Sequence, residues 1–357
     1  MSDGITGHDL NDVELEDILR GATFLGSGGG GPVALGQQML DHVRTLGKPV
    51  FLADPASIPP TATGAIAAGV GSPLAAAQGF PMAALGTAWE RLQRGGPHLD
   101  VVVPAEVGAG NTFIPFIVAA EQGLPVIDGA GADRAVPTLP MVSFYGAGLP
   151  VGDVVLANAT QWFEFAADTA DHADVAMRAV MDGGLFAEDA GAALWRMTGA
   201  EISANAVSGV TTRVSKVGRL LREAADPVAA IEGELGGTVV VRGTITQVVD
   251  PTSGGFDAGH VVIESAVGTT RYTVLTVNEN IAVFSSDQPA PLYVAPDLLC
   301  YLLDDGTPFS NAEAADHRGK AMVLVRFPAA PQLYEPLLLA EFDALLQSLG
   351  LWGRIQR

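Results

Sequence analysis

The chain holds one cysteine, Cys300, in 357 residues. A single thiol forms no internal disulfide and builds no zinc site alone, so the sequence fits a reducing compartment. Basic residues are also scarce: 19 Lys and Arg face 40 Asp and Glu, a formal charge of −21. That balance repels phosphate backbones and anionic lipid heads, which makes nucleic acid and membrane surfaces poor partners. No window approaches the ~18 uninterrupted apolar residues of a spanning helix, and the first stretch, MSDGITGHDLNDVELED, is too acidic for a secretory signal. Cytoplasm is the expected location. The chain has no G-x-S-x-G elbow, no H-E-x-x-H and no C-x-x-C. A serine hydrolase, a zincin and a dithiol redox enzyme therefore lack support.

Charged residues make up only 17% of the chain and hydrophobic ones 48%. This composition belongs to an ordered globular protein long enough for two domains and a substantial core.

Glycine is concentrated in FLGSGGGGP, from Phe24 to Pro32, between two segments that read as helices. Upstream, Leu15, Ile18, Leu19 and Ala22 recur at helical spacing, with Asn11 and Glu14 as a capping box. Downstream, Pro32 suits a first helical position and Gly47 a stop. Gly28, Gly29 and Gly30 can turn their amides onto one point, forming an anion-accepting nest at a helix N-terminus. A tight helix-to-helix turn that binds nothing explains the same run. The run lacks the Lys-Ser/Thr ending of a P-loop and follows a helix where a nucleotide fingerprint follows a strand, so ATP and NAD are not expected.

From residue 50 to about 160, apolar runs such as PVFLAD, AIAAGVGSP, DVVVPAEVG and LPVIDG alternate with helical stretches. The pattern predicts an α/β domain over 1–230 with a largely parallel sheet. Residues 168 to 226 read as helical. TVVVRGTITQVVD, HVVIESAVG, TRYTVLTVNENIAVFS and KAMVLVRFPA then read as strands of a β-rich domain over 231–357, which closes on a C-terminal amphipathic helix in PLLLAEFDALLQSLG.

Ligands collect at the C-terminal ends of parallel strands, which points to Glu106 after DVVVPA and Asp128 after LPVI. Both carboxylates suit a general base or a metal ligand, Asn111 a helix cap that also reaches a ligand, and Arg134 a fork for a carboxylate. Each also has an ordinary structural role: caps for Asn111 and Asp128, and an ion pair with Asp133 or another acid for Arg134. In the second domain, GGFDAGHVVIE carries Asp257 and His260, and TVNENIAVF carries Asn278, Glu279 and Asn280. His260 is the best placed of six histidines to move a proton or hold a metal; a hydrogen-bonded structural histidine is the alternative. The Asn-Glu-Asn run suits polar ring edges, or a solvated turn. Cys300, within DLLCYLL, reads as a core residue.

The blocks LGSGGGGP, AEVGAGN with LPVIDGAGADRAVP, VSKVGRLLREA, GGFDAGHVVIE, TVNENIA and APDLLCYLLDDGTP, in this order, resemble the DUF917 family, also called the S-methyl thiohydantoin desulfurase family. The resemblance runs from about residue 12 to 330. It implies hydrolysis of an S-methylated thiohydantoin to the hydantoin with loss of methanethiol, in a family that also occurs beside or fused to hydantoinase and oxoprolinase subunits. On that basis His260 with Asp257 or Glu106 activates water, with or without a divalent metal. Asp128, Glu279 and Asn280 hold the ring, and the glycine run or Arg134 takes a substrate carboxylate. Where the family tends to have D-x-D-G-M-G-R-A, this chain has Ala130 for the second acid and Asp133 for a glycine. Two rivals remain: an accessory partner of a hydantoinase/oxoprolinase-type enzyme, and a small-molecule-binding protein with a decayed site, which the missing acid at Ala130 permits. A homo-oligomer is compatible with the apolar composition and the terminal helix.

Overall fold

A computed structural model describes residues 4–71, 80–183, 186, 189–253 and 256–352, without the side chains of residues 182, 189, 252, 253, 256 and 257. It contains two main sheets and a two-stranded one that pairs β6 at Gly129–Ala130 with β10 at Val207–Ser208. The first has the order β1-β2-β5-β4-β3-β9-β7-β8, with β1 at Gly7–Asp9, β2 at Phe51–Ala53, β3 at Thr63–Gly71, β4 at Val101–Pro104, β5 at Val126–Ile127, β7 at Gly152–Ala157, β8 at Trp162–Ala167 and β9 at Asp189–Thr198.

The parallel pairs are β2 with β5, β5 with β4, and β4 with β3. Beyond β3 the sheet is antiparallel through β9, β7 and β8. The sheet is thus mixed where a largely parallel one was expected, and β9 lies inside the segment that reads as helical. Its sequence DAGAALWRMT is rich in alanine and carries an irregularity of register against β3 between Gly64 and Ile66. Trp195 takes a φ of 58° there, which breaks the period-two signal of a strand.

Both faces of this sheet are covered. Ala65, Ala67 and Val102 join one core and Ile66, Val101 and Val103 the other, so the strands read as continuous apolar runs. The first core holds the helices Asp12–Leu25, Val33–Leu46, Ala83–Arg94 and Ile114–Gln122. Asn11 closes the expected capping box with Glu14. Gly47, at φ 62°, ends the second helix, whose N-cap is Pro32.

The second sheet is antiparallel and curled, in the order β16-β15-β14-β13-β11-β18-β17. Its strands are β11 at Thr238–Val249, β13 at Phe256–Ser265, β14 at Arg271–Val277, β15 at Glu279–Ser285, β16 at Tyr293–Val294, β17 at Leu298–Leu303 and β18 at Ala321–Phe327, with the short β12 at Thr252–Ser253 paired to β13 off this path. Strand alternation divides β17 between two environments. Leu298, Cys300 and Leu302 face the core shared with the N-terminal helices, while Leu299, Tyr301 and Leu303 fill the inside of the curled sheet. The terminal helix Pro336–Ser348 docks back through Leu338, Phe342 and Leu346. Among the described residues no helix is long and apolar enough to cross a membrane.

Candidate active site

Both domains meet at the glycine run, and the contact geometry explains why the run is glycine. A β-carbon on Gly30, which sits at φ 74°, would overlap the backbone of Gly108, and one on Gly29 would overlap the Glu279 carboxylate. Gly28 is pressed against the side chains of Asn280 and Asn311. The first turn of the helix Val33–Leu46 already has an anion: Glu313 Oε1 accepts the Val33 amide at 2.8 Å. The run therefore acts first as a close-packed seam between domains, and the carboxylate at the neighbouring helix start belongs to the protein.

A cavity of about 140 Å³ opens beside this seam at the C-terminal ends of β3 and β4. Glu106, Asn111, Asn278 and Glu279 supply polar groups to its lining, and Asp174 and Arg178 join them from the helix Ala170–Asp182. Leu35, Met39, Phe80, Ile114 and Met177 are among its apolar lining.

Glu106 is held at both carboxylate oxygens. Asn111 Nδ2 donates to Oε1 at 2.6 Å, and the Val136 amide donates to Oε2 at 2.7 Å. Burial pushes its pKa up to about 7, against the pull of those two donors and of the Arg134 charge. Glu279 is buried as well, and its Oε2 has no hydrogen-bond partner. Burial first, and the Glu106 charge second, hold its pKa well above the usual carboxylate range, with Arg134 and Arg178 opposing. Burial and the neighbouring carboxyl group thus push both members towards the protonated form, and the two titrate as one coupled pair.

Asn111 does not cap the helix that follows it. Its Oδ1 accepts the Gly69 amide of β3 at 2.9 Å while its Nδ2 serves Glu106. Arg134 is fully buried and spends its donors on the carbonyls of Ala135, Pro296, Asp297 and Asn280, the NH1 contact to Asp297 being 2.7 Å. It ties the two domains together and does not line the cavity. Asp133 instead pairs with Arg213 at 2.7 Å. Asp128 accepts the Thr212 amide at 3.0 Å and the Thr212 hydroxyl at 2.6 Å, which caps the helix Val210–Glu223.

Asn280 is fully buried, with its side chain donating to the Leu299 carbonyl at 2.7 Å. His260 lies on β13 between Val249 of β11 and Leu275 of β14, and it is not among the cavity residues. The Asp257 side chain lies outside the described residues. Ala130, where the family tends to carry a second acid, is buried with its backbone paired to Val207, also away from the cavity. Of the residues the sequence singles out, the structure brings Gly30, Glu106, Asn111, Asn278 and Glu279 to one cavity, with Gly29 behind Glu279. Asp174 and Arg178 carry no signal of a site in the sequence, because an Asp and an Arg four apart on a helix look like a solvated ion pair. Among the described residues no group of three or more His, Cys, Asp or Glu converges to hold a metal ion. Burial pushes the Cys300 thiol up to about 12, in keeping with a core residue.

The fold and site define a two-domain protein whose cavity at the domain junction carries a buried carboxylate pair, one partner from each domain. Models of the S-Me-THD-like N-terminal and C-terminal domains match residues 13–162 and 168–340. The chain belongs to that family, the S-methyl thiohydantoin desulfurase family that its sequence blocks resemble. It is similar over 98% of its length to 99% of a protein from Chromobacterium violaceum solved by X-ray crystallography, at 29% identity and a TM-score of 0.85. No curated protein matches the chain.

Proposed function

We propose that the protein hydrolyses an S-methylated thiohydantoin to the hydantoin and methanethiol, with Glu106 as general base and Glu279 as general acid. The observation that carries this reading is the pairing of the two buried carboxyl groups at one cavity, one of them with an unpartnered oxygen. Water attacks the ring carbon that bears sulfur; Glu106 takes one of its protons, and Glu279 gives its own proton to the ring nitrogen as the C=N bond opens. The tetrahedral adduct then collapses. The C–S bond breaks, Glu106 returns its proton to the departing sulfur, and the hydroxyl proton passes to Glu279 as the C=O forms. Both carboxyl groups end as they began.

The apolar lining suits a flat, weakly polar ring with a methylthio group. Arg178 is the one cation among the described cavity residues, so a carboxylate on the substrate would lie towards it, whereas Arg134 lies outside the cavity. The lost acid at Ala130 lies away from this machinery, so the departure from the family pattern leaves the pair intact.

Release of methanethiol from a carboxyethyl S-methyl thiohydantoin, followed on protein purified alone and with or without a chelator, tests the reading. Release without added partner supports it, and the chelator arm reads whether a divalent cation takes part. No release under either condition overturns it.

A further inference from the structure

The loop from Val136 to Leu139 lines the cavity and is fastened at three points, each by a different group. The Val136 amide donates to Glu106 Oε2 at 2.7 Å. One residue on, the Pro137 carbonyl accepts from Arg178 NH2 at 2.7 Å. Two residues further, the Leu139 amide donates to Asp174 Oδ1 at 3.0 Å. Asp174 and Arg178 are themselves joined, Arg178 Nε donating to Asp174 Oδ2 at 2.7 Å, one turn apart on the helix Ala170–Asp182. A pair left in water would gain little from this contact; here both members reach off the helix to backbone groups of one loop.

We infer that Asp174 and Arg178 are positioning residues for Glu106, acting through the loop Val136–Leu139. By fixing Pro137 and Leu139 on either side of a short span, they hold the Val136 N–H against the Glu106 carboxylate, where it favours the charged form. The role of Glu106 as base rests on the proposed function; the clamp on its carboxylate does not.

The charged groups that face or act on Glu106 are Glu279 from β15, Arg134 from the loop after Ala130, and the helix pair itself. A direct electrostatic effect and a positioning effect give opposite signs, which makes them separable. Asp174→Ala removes a negative charge, and charge alone would ease ionisation of Glu106 and lower its pKa. Loss of the clamp releases Val136 and raises it. Arg178→Lys keeps the charge but loses the planar fork that reaches both Asp174 and Pro137, so charge alone predicts no shift and loss of the clamp again predicts a rise.

The experiment is a carboxyl ¹³C NMR titration of the full chain labelled at glutamate Cδ, with the Glu106 signal assigned from its absence in Glu106→Gln. The clamp predicts an upward shift of about one unit in both Asp174→Ala and Arg178→Lys. A downward shift in Asp174→Ala, or no shift in Arg178→Lys, overturns it. Circular dichroism reports whether Asp174→Ala folds, and where it does not, Arg178→Lys decides alone. Because the titration needs no substrate, a wild-type protein that releases no methanethiol would sink the proposed reaction and leave the clamp to be judged on its own signal.

Discussion

Asn111 bridges Gly69 and Glu106, accepting the Gly69 amide at 2.9 Å on one side of its amide group and donating to the carboxylate at 2.6 Å on the other. The bridge fixes which end of the Asn side chain faces Glu106, since a flipped amide would set NH₂ against the Gly69 N–H. Asn111→Asp would place a second carboxylate against Glu106. The expected result is a loss of turnover of roughly 100-fold at pH 7, with the acidic limb of the kcat/KM profile moved to higher pH. An unchanged profile would show that the bridge does not govern Glu106.

Glu106 also leaves a signature in stability. Its pKa is raised from 4.5 to about 7 in the folded protein, so the native state holds a proton that the unfolded chain releases more readily. The associated stability is fully present below pH 4.5 and is lost as pH rises to about 7. Glu106→Gln removes this titration. Denaturant unfolding should then show a smaller loss of stability between pH 5 and 8 than in the wild type, by at most roughly 3 kcal/mol. Parallel curves for the two proteins would contradict the assignment.

Gly29→Ala and Gly30→Ala should fail in different ways. At Gly29 the new methyl meets the Glu279 carboxylate, a side chain that can swing aside, so turnover falls more than stability. At Gly30 it meets the Gly108 backbone at a position with φ 74°, and the expected cost is roughly 3–4 kcal/mol in thermal or urea unfolding. Equal effects on stability would argue against this account of the seam.

Arg134→Met should loosen the domain junction, because four carbonyl contacts lose their buried donor. A destabilisation of about 3 kcal/mol is expected. His260→Ala, by contrast, should retain turnover within about twofold, since His260 sits on β13 away from the cavity residues. A collapse of activity in His260→Ala would return that histidine to the site.

The parts of the molecule that follow from local pattern were legible in the residues. Apolar runs with both faces covered announced β3 and β4, the strand-end rule led to Glu106, and the Asn-Glu-Asn segment led to Glu279. The strand β9 was hidden because an alanine-rich run interrupted at Trp195 carries no clean alternation. For Arg134 the sequence offers a ligand fork or an ion pair with Asp133 or another acid, and neither anticipates the carbonyls of the second domain that take its donors. Asp174 and Arg178 were hidden for the complementary reason: their partners, Pro137 and Leu139, lie 35 to 41 residues away in sequence, where helix periodicity says nothing. What local chemistry could not supply was the meeting of the two domains, which turns two separate glutamates into a pair.

The central claim is that this pair performs the hydrolysis, and methanethiol release by wild type, Glu106→Gln and Glu279→Gln measures it most directly. The account predicts release matched one for one by hydantoin in the wild type, and a fall of at least about 100-fold in each variant with binding of the hydantoin product retained. Undiminished release in both variants would contradict it.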